Sequence, residues 1–280
     1  MERFDIPEYK KGLDLYYKIC PEFFCQDSIF SIKSNTFPHI TDNNVNIIQR
    51  DVNAVFINKL KSKVPFSISR FNDGEWIAML KIEYTGNSPH PSIDGPYNPK
   101  SWVWGDAGQR YVDERLTPIF KRAPEYYIGV SSQVFKKKYM STLVVPYLNK
   151  VTLVDGGLFT RVAVDGRILA YFNALKGREV LVVGPPYCES MRTHVQFKHV
   201  VTNDKVWLEH DRVEREVEHH LTSMNEPVII YACSFVAKSL IDIFYHKYGK
   251  IVTQLDFGSA VCPYSNVKLR TYHKYVDVAV

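Results

Sequence analysis

Asp73 and Glu75 are two carboxylates separated by a single glycine, Gly74. At the junction between a short strand and a helix, residues at that spacing can both turn toward one point. Gly74 lets the backbone approach a ligand closely. Oxygen ligands of this kind suit Mg2+ or Mn2+, ions that also hold substrate phosphates. A divalent ion there would neutralise a leaving diphosphate as the bond to it breaks. Arg70, just upstream, offers a fork of donors to the same group. The same acids have a plain structural use, because carboxylates at a helix start cap it and favour its dipole.

Other candidates fall at the ends of apolar runs. Gly184-Pro185-Pro186 follows Val180 to Val183 and marks a tight turn. It is not G-x-G-x-x-G, and the chain holds no Walker A pattern, which argues against dinucleotide and P-loop chemistry. Ser234 opens a helix and can offer its hydroxyl and nearby N–H groups to a phosphate, or simply cap the helix. Asp256 begins Asp256-Phe257-Gly258-Ser259 and suits a ligand-orienting acid or a general base; the bland alternative is a turn-forming acid. Arg70, Gly74, Gly184, Ser234, Gly258 and Ser259 together form the donor-binding candidates, and Asp73, Glu75 and Asp256 the catalytic ones. His219 and His220 lie on a charged helix, and His194 and His199 lack an H-E-x-x-H context, so no zinc site is expected.

These residues need a frame. Apolar spacing predicts a helix from Val45 to about Lys61, a strand Phe66 to Ser69, and a helix capped by Asp73. Residues 84–104 form a long loop rich in Gly and Pro that ends in Trp102-Val103-Trp104, a length often associated with lids and binding loops. Beyond it, strands are expected at Tyr126 to Val130, Val151 to Val154, Glu179 to Val183, Lys198 to Val201, Val228 to Tyr231 and Ile251 to Leu255. Helices are expected near 106–122, 133–148, 166–176 and 210–222, and from Ser234 to Tyr248. Strands alternating with helices imply an α/β, doubly wound, mainly parallel sheet of Rossmann-like type. The chain divides into an irregular N-terminal extension, 1–44, and a single domain, 45–280. Ligands of such sheets bind beyond the carboxyl ends of the strands. That rim holds Arg70 to Glu75, Ser131-Ser132, Asp155-Gly156-Gly157, Gly184-Pro185-Pro186, Cys233-Ser234 and Asp256 to Ser259.

Bulk composition narrows the classes. Hydrophobic residues are 45% and charged residues 23% of the 280 positions, an ordinary globular balance that argues against disorder. The net charge of +5 permits a polyanionic partner without demanding one. The most basic run is Lys136-Lys137-Lys138. Five cysteines without a C-x-x-C pair fit reduced thiols and a cytoplasmic setting. No secretory leader and no membrane span are expected.

Phe66-Ser67-Ile68-Ser69-Arg70-Phe71-Asn72-Asp73-Gly74-Glu75 resembles the S-x-x-R-[FY]-G-D-G-E signature of the GT-D fold glycosyltransferases. The likeness extends from about Pro65 to Ser259, with Val228 to Ser259 similar to the family's closing unit. Three departures stand out. Asn72 replaces a glycine, which implies a backbone that tolerates a left-handed residue. Cys233-Ser234 replaces a G-P turn, and Ser259 stands where some members place His. The resemblance implies a GT-D fold and Asp73 and Glu75 holding Mn2+ or Mg2+ against a nucleotide sugar, with UDP the expected nucleotide and Arg70 beside them. It implies transfer to a hydroxyl on a glycan; the other acceptor is a hydroxymethylated base in phage DNA, with which the basic balance, Lys136 to Lys138 and the aromatic loop around Trp102 and Trp104 are compatible. The rival reading is a non-catalytic module that binds a nucleotide sugar or a glycan.

Overall fold

The computed structural model describes residues 46–47, 52–80, 105–122, 124–130, 144–148, 151–164 and 166–267, with 270, 273 and 276 as single positions. The expected N-terminal extension, the loop 84–104 with Trp102 and Trp104, Ser131-Ser132 and Lys136 to Lys138 lie outside these residues.

Eight strands form one sheet. They are β1 (Asn46–Ile47), β2 (Ser67–Phe71), β3 (Tyr127–Val130), β4 (Thr152–Asp155), β5 (Val180–Gly184), β6 (Phe197–Val201), β7 (Val228–Tyr231) and β8 (Thr253–Asp256). Their order is β1-β4-β3-β2-β8-β7-β5-β6, and every pairing is parallel. The "mainly parallel" expectation is met in full among the described residues. Strands β5 and β7 read as continuous apolar runs because both of their faces are covered.

The helices are α1 (Val52–Lys61), α2 (Asp73–Met79), α3 (Gly105–Tyr111), α4 (Thr117–Lys121), α5 (Leu158–Val164), α6 (Ile168–Ala174), α7 (His210–Leu221) and α8 (Val236–Tyr248). A π-helical turn, Val112–Leu116, joins α3 to α4. None of the described helices is long and apolar enough to cross a membrane. Successive strand side chains point to opposite faces, and the core divides accordingly. Phe71, Ile128, Leu181, Val183, Ile229 and Tyr231 pack with residues of α2, α4, α7 and α8. Ile68, Val180, Val182, Val228, Ile230 and Leu255 pack with residues of α1, α5, α6 and the 3-10 segment Gly258–Ser265. The result is three layers.

The two halves of the sheet meet at β2 and β8. The chain leaving β2 turns into α2, whose Trp76 belongs to one core layer. The chain leaving β8 turns into Gly258–Ser265, whose Ala260, Val261 and Tyr264 belong to the other. Neighbouring strands whose continuations part to opposite faces leave a crevice at their carboxyl ends, the usual ligand position in an open α/β sheet. Trp76 anchors one wall. It is fully buried, with its ring 5.7 Å from Phe71 and 5.1 Å from Phe120.

Several sequence expectations need correction. Asn46 and Ile47 pair with Thr152 and Leu153, so the segment expected to be helical from Val45 begins with an edge strand; the helix proper starts at Val52. Asp73 is the first residue of α2, not its cap. The cap is Asn72, with φ −89° and ψ −174°, which is extended and not the left-handed backbone inferred from the glycine it replaces. Ser234 does not open α8, which starts at Val236; Ser234 lies at φ +56°. Leu158–Val164 is a helix the sequence reading missed. Within the helix expected over 133–148, residues 144–148 carry a short 3-10 turn, Val145–Leu148.

Candidate active site

Arg70 and Asp256 close the crevice floor from adjacent strands. The backbone N–H of Arg70 donates to Asp256 Oδ2 at 3.0 Å, and Arg70 Nη2 stands 3.7 Å from Asp256 Oδ1. Nη1 donates to the carbonyl of Gly156 at 3.3 Å, while the guanidinium lies over the Phe159 ring, 5.5 Å from its centroid. Arg70 thus reaches from β8 across β2 and β3 to the turn after β4. Glycines line that path. A Cβ on Gly129 would sit 3.1 Å from Arg70 Cγ, and a Cβ on Gly258, itself at φ +54°, would overlap Arg70 Nη2. Gly258 is glycine for both reasons, backbone sign and close approach. Arg70 Nε has no partner among the described residues, so the guanidinium keeps donor capacity to spare.

Lys238 completes the cluster, and sequence reasoning missed it. It lies in the first turn of α8, on the side facing β8. Its ammonium is 2.9 Å from Asp256 Oδ2 and 3.2 Å from Glu75 Oε1, and it donates to the carbonyl of Ser234 at 3.3 Å. Burial alone would lower the lysine pKa, but Asp256 and Glu75 outweigh it and hold the pKa raised. A cation in the first turn opposes the helix dipole. That mismatch, in a turn otherwise made of Phe235, Val236 and Ala237, was the available sequence signal.

Glu75 faces the same point from the opposite wall. Its Oε2 accepts the N–H of Asn72 at 3.1 Å, the reciprocal half of a capping box. Glu75 therefore caps the helix, as one of its expected uses, and also ion-pairs with Lys238 in the crevice, which the sequence reading did not foresee. The side chain of Asp73 lies outside the described residues; its backbone position, two residues before Glu75, is fixed by α2. Arg70, Lys238, Glu75 and Asp256 balance to zero charge, as buried charges must nearly do.

A polar floor supports these groups. Gln254 donates to Ser67 Oγ at 3.0 Å and to the Ile241 carbonyl at 3.1 Å, and accepts from Tyr231 at 2.9 Å. One side chain thereby ties β2, β7, β8 and α8 into fixed register beneath Asp256. Beside the floor, Asp155 accepts the Gly157 N–H at 2.7 Å and pairs with Arg161.

The remaining candidates fall around this centre. Gly74 is buried within α2. Ser234 is exposed at the rim. Ser259 follows Gly258, and its backbone hydrogen-bonds His273. Gly184 has a packing role, since a Cβ there would come within 2.9 Å of Cys188 Sγ and 3.0 Å of Ala232 Cβ. The structure brings Arg70, Glu75, Asp256 and Gly258 together and leaves Gly184 on another strand end.

The donor chemistry fits a divalent ion in type: an acid pair on α2 whose Glu75 carboxylate faces a crevice at the strand ends. Asp73 and Glu75 are the residues that would hold one.

No protein-family model and no curated protein matches the chain. Solved structures do. A glycosyltransferase of domain of unknown function 1792 from Streptococcus sanguinis superposes with a TM-score of 0.50 at 12% identity, covering 78% of this chain and 82% of that one. A second structure, described as showing that the highly conserved domain of unknown function 1792 has a distinct glycosyltransferase fold, gives a TM-score of 0.49 at 15% identity over 90% of this chain and 95% of that one. The chain has the fold of the Streptococcus sanguinis protein.

Proposed function

We propose that the chain is a glycosyltransferase that takes a sugar from a nucleotide-sugar donor, UDP-linked by preference, and passes it to a hydroxyl. The observation that carries this reading is the charged crevice between β2 and β8, where Arg70, Glu75, Lys238 and Asp256 meet in a glycosyltransferase frame.

Arg70, fixed by Gly156, Phe159 and Asp256, presents positive charge where a donor diphosphate would lie, and preorganised charge of this kind stabilises a leaving group without reorganising. Gly258 gives the guanidinium its room. Asp256 has 1% of its side chain exposed and both oxygens engaged, which suits the ligand-orienting role weighed for it better than that of a base. A Mn2+ or Mg2+ ion held by Asp73 and Glu75 would neutralise charge on the diphosphate. The acceptor is a glycan hydroxyl, with the hydroxyl of a hydroxymethylated DNA base as the competing choice.

Purified protein offered a panel of nucleotide sugars, with Mn2+ or Mg2+ against chelator, should release nucleoside diphosphate from one donor in a metal-dependent way. Modified DNA added to the same panel separates the acceptors. Binding to DNA should weaken steeply with salt if phosphates are contacted, and salt-insensitive or absent binding removes that choice. A second reading has one observation in its favour: both oxygens of Glu75 and of Asp256 are already engaged, by Lys238, Arg70 and the Asn72 N–H, as in a module that binds a donor without turnover. A melting temperature raised by one nucleotide sugar, with no product formed, would favour it.

A further inference from the structure

We propose that Lys238 is the resident cation of the crevice and sets its affinity for divalent metal. The inference rests on Glu75 being a metal ligand. An ammonium has three N–H donors, and those of Lys238 are committed to Asp256 Oδ2 at 2.9 Å, Glu75 Oε1 at 3.2 Å and the Ser234 carbonyl at 3.3 Å. Those oxygens are the kind a hard divalent ion would use. Glu75 Oε1 is therefore already shared with a positive charge, and Oε2 already accepts the Asn72 N–H. A metal ion reaching Glu75 must displace Lys238 or bind beside it against charge repulsion.

The surroundings hold the lysine in place. Lys238 has 4% of its side chain exposed, sits on a helix whose Val236, Ala237, Leu240, Ile241 and Phe244 are fully buried, and leans on a carboxylate that Arg70 also pins. The lysine cannot swing into solvent without stranding Asp256. The site therefore binds metal weakly on its own, and Lys238 acts as a positioning residue toward the metal, not as its ligand.

The test is Mn2+ binding by the full chain without nucleotide, read as loss of the free Mn2+ signal in electron paramagnetic resonance. Lys238→Met should bind Mn2+ more tightly than the parent by about 10-fold or more, the size of effect that groups around metal ligands usually exert. Since Lys238→Met strands Asp256 and can fail to fold, the paired variant Lys238→Met with Asp256→Asn keeps the cluster neutral and should show the same tightening. Adding Glu75→Gln to that pair should abolish the gain. Unchanged or weaker Mn2+ binding in the folded paired variant overturns the proposal, as does a gain that survives Glu75→Gln. No donor is cleaved in this experiment, so its failure leaves the glycosyltransferase reading standing, and failure of that reading leaves this result interpretable.

Discussion

Lys238 and Asp256, from a helix and from the strand beside it, meet as a buried ion pair at 2.9 Å, with 4% and 1% of their side chains exposed. The pair joins α8 to the end of β8 and fixes Asp256 where Arg70 needs it. Removing one partner leaves the other charge buried and uncompensated. Lys238→Met alone should lower unfolding free energy by about 3–5 kcal/mol. Adding Asp256→Asn should recover part of that loss. Urea denaturation of the single and paired variants measures both, and equal stability of all three would refute the pairing.

Gly258 holds a left-handed backbone under the Arg70 guanidinium. Gly258→Ala adds backbone strain of about 1–2 kcal/mol and forces Arg70 aside. The expected outcome is a modest fall in stability with a larger fall in donor turnover. A variant as active as the parent would show that Arg70's position is not needed.

Trp76 carries α2, and with it Glu75, on the core. Trp76→Ala should cost about 3–5 kcal/mol and should weaken donor binding even though Trp76 is fully buried and can touch no ligand. Calorimetry with and without nucleotide sugar checks both effects.

His273 gives a pH dependence with a definite sign. Burial, with help from the nearby Arg270 charge, lowers its pKa from 6.5 to about 4. The unfolded chain then binds the proton more readily, so this contribution is complete above about pH 6.5 and is lost as pH falls toward about 4, at no more than ~1.4 kcal/mol per pH unit. His273→Gln should flatten the stability profile between pH 6.5 and 5 relative to the parent, before most carboxylates titrate. Parallel profiles would remove His273 as the cause.

Much of the frame was legible because strand and helix periods differ. Val180 to Val183 and Val228 to Tyr231 read as buried strands and are buried strands. Arg70, Glu75 and Asp256 were legible as residues of the strand-end rim because each lies at the end of a strand or the start of a helix, and the structure brings them together. Lys238 was not. A lysine in a helix reads as solvated, and its burial depends on β8 lying beside β2 and β7, a neighbour relation spanning 186 residues between Arg70 and Asp256. The role of Gly129 was hidden for the same reason, because the side chain it makes room for arrives from another strand. Asn72 misled because the residue it replaces suggested a backbone sign that the helix cap does not use. Edge strand β1 was lost because two residues carry no period.

The most direct test of the account is nucleoside diphosphate release from a nucleotide sugar by the parent protein and by Asp73→Ala, with Mn2+ supplied and then chelated. The account expects metal-stimulated release from one donor in the parent and a drop of at least ~100-fold in the variant, the scale on which lost electrostatic stabilisation of a leaving group acts. Full release and full metal stimulation in Asp73→Ala would contradict it.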